Sequence, residues 1–157
     1  MQYPIALNSS LVRNRALALV DIENLAGTPL PSTGLVQEIK SAFCSLAVMN
    51  PMSQTYVGCH PGVTAEVCFG WHDHFTLCSK AGKDGADLAL IEEVHNIKNL
   101  REYNTIVIGS GDHIFAGIAE QLRKEGHYIH VIVGNGHPSA ALRGVAHKVS
   151  YLPHFKI

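Results

Sequence analysis

The chain has 157 residues, a length that suits one domain with a continuous hydrophobic core and is short for two. With 46% hydrophobic and only 16% charged residues, the composition excludes a largely disordered chain. The formal net charge of −1 leaves nucleic-acid binding open, because phosphate contact depends on a local basic patch. We predict one domain over residues 1–157, with residues 1–14 as a flexible N-terminal arm.

Neither the apolar runs nor the cysteines indicate a membrane or secreted protein. The longest apolar run near the start, residues 16–20, is too short for a membrane span or a signal-peptide core. The four cysteines show no Cys-x-x-Cys spacing, and a chain of this size does not need disulfides for stability. We therefore expect reduced thiols, a cytoplasmic location and no membrane partner.

The first half of the chain alternates strands and helices. Residues 16–21 form an apolar run ending in aspartate, which is typical of a parallel strand buried on both faces. Ser32 is placed to cap a helix that continues to about residue 48 with one apolar stripe. A strand over 54–59, a short helical segment over 63–69 and a strand over 75–79 follow.

The second half continues the alternation. The predicted helices cover 84–98, 115–124 and 139–147, and the predicted strands cover 105–109, 128–133 and 149–152. Strands that alternate with helices pair in parallel, with the helices packed on both faces of the sheet. The predicted fold class is therefore α/β, a three-layer sandwich around a mostly parallel central sheet.

Acidic residues follow the predicted strands at the edge where such sheets bind ligands. The site of an open parallel sheet lies beyond the carboxyl ends of its strands, where neighbouring connections leave in opposite directions. Asp21 ends the first strand and Asp112 follows the fourth, so the two face each other if these strands are neighbours. Asp84 and Asp87 begin a helix three positions apart, and therefore share a helical face.

Carboxylates crowded at one edge repel each other unless some are protonated or a cation lies between them. Ligands that are all oxygen suit Mg²⁺ or Mn²⁺, with the coordination completed by water and substrate phosphate. Such a cation activates water for attack on phosphorus, so phosphodiester hydrolysis is the reaction that this pattern favours. Any one of these aspartates alone is more simply explained as a turn or helix cap.

Three motifs in order resemble the signature of NYN domains, which belong to the PIN-like superfamily. They are Val20-Asp21-Ile22-Glu23-Asn24-Leu25, Lys83-Asp84-Gly85-Ala86-Asp87-Leu88-Ala89-Leu90 and Val107-Ile108-Gly109-Ser110-Gly111-Asp112. The resemblance covers nearly the whole chain. It implies a PIN-like Rossmannoid fold and a Mg²⁺- or Mn²⁺-dependent ribonuclease that acts in RNA processing or decay in the bacterial cytoplasm.

The resemblance also implies roles for individual residues. Three aspartates would be catalytic residues and metal ligands: Asp21, Asp87 and Asp112. Asn24 would be a catalytic residue through a hydrogen bond beside them, and Ser110 and Lys83 would bind the substrate.

One position departs from the family pattern. Many members have a second acid two residues after the last aspartate, where this chain has Ile114, which cannot bind a metal. The loss makes a second metal ion less expected and puts catalysis in doubt more than the fold. Glu23 and His113 lie beside the proposed site and are candidates to compensate.

Basic, cysteine and histidine side chains provide further candidates. The basic residues that a substrate rim could use, or that are simply solvated, are Arg13, Arg15, Lys40, Lys80, Lys83 and Arg143. The candidate zinc ligands are Cys59, His60, Cys68, His72, His74 and Cys78, although their spacing fits no zinc finger or ribbon. Residues 71–74 are alternatively an exposed loop that contacts RNA by stacking or mediates dimerisation.

The leading hypothesis is a metal-dependent endoribonuclease with RNA as its partner, and a homodimer is plausible. The alternative is a catalytically weak or inactive PIN-like domain that binds RNA or acts as a scaffold. A phosphatase or nucleotide-binding protein is disfavoured, because the sequence contains no Gly-x-Gly-x-x-Gly, P-loop or Asp-x-Asp motif.

Overall fold

The computed structural model describes residues 14–155, and it contains one six-stranded sheet in which every pairing is parallel. The strands are β1 Ala16–Asp21, β2 Gln54–Cys59, β3 Thr76–Ser79, β4 Thr105–Gly109, β5 Tyr128–Val133 and β6 Lys148–Tyr151. Their spatial order is β3-β2-β1-β4-β5-β6. All the predicted strands are present within one or two residues of their expected ends. The predicted N-terminal arm lies outside the described residues except for Asn14.

Within the described part of the chain, six α-helices connect the strands. They are α1 Ile22–Ala26, α2 Thr33–Ala47, α3 Thr64–Trp71, α4 Gly85–Asn96, α5 Ala116–Lys124 and α6 Ala140–Val145. Short 3-10 turns cover Pro61–Val63, Leu100–Glu102 and His113–Phe115. Among residues 14–155, none of these helices is both long and apolar enough to cross a bilayer.

The short helix α1 was not predicted from the sequence. The Asp21 side chain accepts a hydrogen bond from the backbone N of Asn24 and so caps the helix. Gly27 follows the last of its five residues and ends the helix with a φ of 69°, a left-handed conformation that suits glycine. A helix of this length shows no hydrophobic period, so pattern reasoning reads it as a turn.

The core consists of one apolar layer on each face of the sheet. In β1, Ala16, Ala18 and Val20 face the layer that packs on α2 and α3. The alternate residues Leu17 and Leu19 face the layer formed with α4 and α5. Because β1 is covered on both faces, it is apolar from Ala16 to Val20 and only its last residue, Asp21, is charged. The α/β three-layer sandwich is confirmed.

One sequence expectation is corrected at the end of α3. Residues 71–74 were considered as an exposed recognition loop, but Trp71 is only 1% exposed. Its ring packs edge-on against Phe43 of α2 with the centroids 6.0 Å apart. Trp71 therefore belongs to the core and cannot stack on RNA. His72 and His74 are exposed.

Candidate metal centre

The centre of the sheet is the point where the chain connections change direction. From β1 the chain passes to β2 on one side, whereas from β4 it passes to β5 on the other. In the register of these two strands Val20 pairs with Gly109, so Asp21 and Ser110 follow side by side. The buried Ser110 hydroxyl donates a hydrogen bond of 3.3 Å to Asp21 Oδ2.

Asn24 joins the segment after β1 to the segment after β4. Its Oδ1 accepts a 3.0 Å hydrogen bond from the backbone N of Gly111. This contact orients the carboxamide, so that Nδ2 is the group Asn24 can offer to a ligand. Asn24 therefore lies beside Asp21 and the segment after β4, and its catalytic role stays a prediction.

Asp112 is held by the turn that begins the next helix. Its backbone N donates to Ser110 Oγ at 3.1 Å, and its Oδ1 accepts from the backbone N of Ile114 at 3.0 Å. His113 Nδ1 lies 3.1 Å from the same Oδ1, although the His113 side chain is mostly exposed. The carboxylate thus has one oxygen engaged in capping and keeps its other oxygen for a ligand.

The start of α4 brings two more acids to the same place. Asp84 precedes the helix with a φ of 58°, and Asp87 lies buried in its first turn. Asp84, Asp87 and Asp112 each offer a carboxylate oxygen within 4.8 Å of the others. Asp21 meets this group through a hydrogen bond between its carboxyl group and that of Asp87.

Crowding and burial change the acidity of this cluster. Burial raises the pKa of Asp87 to about 9, with further increases from the hydrogen bond and charge of Asp21 and from the charges of Asp112 and Asp84. Burial also raises the pKa of Asp21, which the hydrogen bond from Asp87 opposes. Without a cation, the Asp21–Asp87 pair therefore favours holding a proton at neutral pH.

A cleft of about 210 Å³ opens beside the buried acids. Its lining combines carboxylates with a few hydrogen-bond donors: Asp21, Glu23, Asn24, His60, Lys80, Gly82, Asp84, Gly85, Ala86 and Asp87. Glu23, one of the compensating candidates, accepts a 2.8 Å hydrogen bond from the backbone N of His60 through Oε1. The cleft can therefore admit a phosphate and its cation beside the aspartates.

These residues fit a hard divalent cation. The ligand atoms that converge are all carboxylate oxygens, which Mg²⁺ and Mn²⁺ prefer. A positive charge among them would also remove the need for the proton on Asp87. The donor set is thus suited to a cation by both its chemistry and its electrostatics.

The cysteine and histidine candidates for zinc do not converge in the same way. Within residues 14–155, Asp84, Asp87 and Asp112 are the only set of three or more His, Cys, Asp or Glu residues whose possible ligand atoms lie within 4.8 Å of one another. Burial raises the pKa of the Cys59 thiol to about 12 and that of Cys78 to about 11. Thiols that resist ionisation are poor zinc ligands, and these two act as core residues.

Sequence reasoning and structure differ in which residues they bring to the cluster. Asp84 was placed beside Asp87 from its spacing but was not selected as a ligand, whereas it lies within ligand distance of Asp87 and Asp112. Lys80 and Lys83 are both exposed on the same connection, and Lys80 lines the cleft. Ile114 is half-buried and packs against the core. Asp21, which was predicted as a ligand, is not part of the group of three that converges. The roles assigned to the site residues all stay predictions: Asp21, Asn24, Lys83, Asp87, Ser110 and Asp112.

Two other basic candidates lie away from the cleft. Arg15 precedes β1 at the opposite edge of the sheet, where it pairs with Glu102 at 2.6 Å and lies over the Tyr103 ring. Lys40 lies 3.6 Å from Asp73. Arg13 lies outside the described residues.

The fold and the site define a class: an α/β protein whose strand ends gather carboxylates at the switch point of a parallel sheet. The sequence matches the model of the NYN domain over residues 17–153. The chain belongs to the NYN family, which is part of the PIN-like superfamily, and this membership points to a nuclease. A comparison with curated proteins found no match.

Proposed function

We propose that this protein is a metal-dependent endoribonuclease that hydrolyses RNA phosphodiester bonds in RNA processing or decay in the bacterial cytoplasm. The observation that carries the proposal is the convergence of carboxylate oxygens from Asp84, Asp87 and Asp112 within 4.8 Å. Nucleases of the NYN family act on RNA and are generally dependent on divalent metals. Mg²⁺ and Mn²⁺ are the proposed cofactors, and a homodimer remains an expectation.

Each residue has a proposed part in the reaction. Asp87, Asp112 and Asp21 would hold the cation, with Asp84 as a further ligand at the cleft entrance. When bound, the cation would neutralise charge on the scissile phosphate and acidify the attacking water. Asn24 and Ser110 would keep the carboxylates oriented through their contacts with Gly111 N and Asp21 Oδ2. Lys83 would contact the substrate phosphate.

The second candidate is an RNA-binding or scaffold protein with little or no catalysis. The observation that favours it is Ile114, whose apolar side chain packs against the core at the position where the resemblance to NYN domains leads us to expect an acid. Asp84 weakens this alternative, because it adds a carboxylate to the group from the neighbouring segment. The candidates differ in whether bound RNA is cut.

Cleavage of a labelled RNA in Mn²⁺ tests the proposal. We expect the wild type to cut the RNA internally and Asp112→Asn to lower kcat by at least about 100-fold, because a ligand loses its charge. Asp73→Asn is the matched control, since Asp73 is an exposed acid near the opposite edge of the sheet, and it should leave the rate unchanged. If the wild type binds RNA but does not cut it in any divalent cation, the scaffold alternative is correct.

A further inference from the structure

Two exposed residues with hydrogen-bond donors, His60 and Lys80, line the cleft together with the acids, and the proposed reaction gives them no role. Cys59 of β2 pairs with Ser79 of β3, so the next residues, His60 and Lys80, leave the sheet side by side. Neighbouring parallel strands lie about 4.8 Å apart, which brings both side chains within reach of one small ligand. Both residues line the cleft.

The backbone fixes what the His60 ring can offer. Nδ1 accepts a 2.9 Å hydrogen bond from the backbone N of Gly62, so Nδ1 carries no hydrogen. The ring hydrogen is therefore on Nε2, which makes that atom a donor. A metal on Nε2 would require the hydrogen to move to Nδ1, where it would meet the N–H of Gly62. His60 is thus positioned as a donor and not as a metal ligand.

A tight connection holds the backbone of Lys80 close to the start of α4. The backbone N of Gly85 donates a 3.1 Å hydrogen bond to the O of Gly82, which closes the loop between β3 and α4. Gly85 approaches the Lys80 backbone so closely that a Cβ at this position would collide with Lys80 O. Among the described residues, no carboxylate forms an ion pair with Lys80. Its ammonium group is available to an anionic ligand.

We propose that His60 Nε2–H and the Lys80 ammonium group together bind a phosphate of the substrate in the cleft that they line with the aspartates. A phosphate oxygen between a cation and these donors would be held on two sides. A polyanion also needs such donors to approach a cleft lined by four carboxylates. This inference rests on the proposed function, because it assigns the contact to the RNA backbone.

Two substitutions of His60 distinguish the loss of the Nε2 donor from the loss of the hydrogen bond between Gly62 N and Nδ1. His60→Asn places a carboxamide oxygen near Nδ1, which preserves the bond from Gly62 N, but removes the Nε2 donor. His60→Gln places an amide donor near Nε2 and removes the Nδ1 acceptor. We expect the Asn variant to weaken RNA binding by roughly tenfold, whereas the Gln variant keeps most of the binding and loses thermal stability.

The probe is a fluorescein-labelled single-stranded RNA, and its Kd is measured by anisotropy in Ca²⁺, with KM and kcat measured in Mn²⁺. Lys80→Met should also raise Kd and KM by roughly tenfold, with Lys98→Met, an exposed lysine after α4, as its unchanged control. The affinity for Mn²⁺ alone should be the same in the wild type and in His60→Asn.

The possible results keep the two proposals apart. If the wild type cuts RNA and His60→Asn binds it as tightly as the wild type, the phosphate contact is wrong and the nuclease stands. If His60→Gln loses more affinity than His60→Asn, His60 acts only through the Gly62 turn and the proposal is overturned. If the wild type neither binds nor cuts RNA, both proposals fall.

Discussion

Asp87 is the residue at which burial and charge conflict most strongly. It is 6% exposed, shares a hydrogen bond with Asp21 and lies near Asp84 and Asp112. An acid in such a place favours its protonated form, and its pKa rises from 3.8 to about 9. The metal-free fold therefore binds a proton that the unfolded chain releases at neutral pH.

The first prediction concerns the stability of the metal-free protein. The pKa of Asp87 is higher in the folded protein than in the unfolded chain. Its contribution to the free energy of unfolding is therefore fully present below pH 3.8 and is lost as the pH rises toward about 9. We expect the unfolding free energy of the wild type in EDTA to fall across this window relative to that of Asp87→Asn, which has no charge to bury. Urea denaturation at several pH values measures the difference, and parallel profiles for the two proteins would contradict the assignment.

The individual acidic residues at the strand ends could be predicted from the sequence, but which of them lie together could be predicted only in part. Asp21 and Asp112 were identified because each follows an apolar run, and parallel strands end at one edge of a sheet. Asp84 could be placed near Asp87 by helical spacing, yet its distance from Asp112 depends on how α4 packs on the sheet. His60 was considered only as a zinc ligand, because the bond from Gly62 to its ring cannot be read from spacing.

At the scale of elements, the short connections position the site more than the strands do. The helix α1 turns Asp21 and Asn24 toward the segment after β4, and the loop before α4 places Asp84 and Lys80. In the loop before α4, the backbone atoms of Gly85 and Lys80 approach each other closely. Glycine at position 85 allows that approach where a side chain would not fit.

The second prediction tests this loop with a pair of glycine substitutions. Gly85→Ala should lower stability by about 1–3 kcal/mol and weaken Mn²⁺ binding, since the new Cβ would push against Lys80 O and shift the start of α4. Gly117→Ala in α5 meets open space and should raise stability by about 0.5 kcal/mol. Thermal unfolding and Mn²⁺ titration check both variants. Unchanged Mn²⁺ affinity in Gly85→Ala would show that the loop does not position the acids.

Most elements were predicted from the sequence, and the exceptions are short. Long amphipathic segments such as α2 and α4 combine a hydrophobic period with helix-start signals, so their existence was clear from pattern alone. The helix α1 depends on a cap and a left-handed glycine, and its five residues are too few to show a period. Helix and strand ends moved by one or two residues because local hydrogen bonds decide them.

At the scale of the whole molecule, the strand order makes the site. Asp21 and Asp112 lie 91 positions apart in the sequence and meet only because β1 and β4 are neighbours at the switch point. The sequence pattern predicted parallel strands with helices on both faces, but it left this adjacency as a condition. The match to the NYN domain over residues 17–153 covers all the segments that the site requires.

An anomalous difference map from a crystal soaked in Mn²⁺ would show whether these carboxylates share a divalent cation. We expect one strong peak among the oxygens of Asp84, Asp87 and Asp112, which disappears in Asp87→Asn crystals. A map with no peak at this edge of the sheet, or with manganese bound only elsewhere, would contradict this expectation.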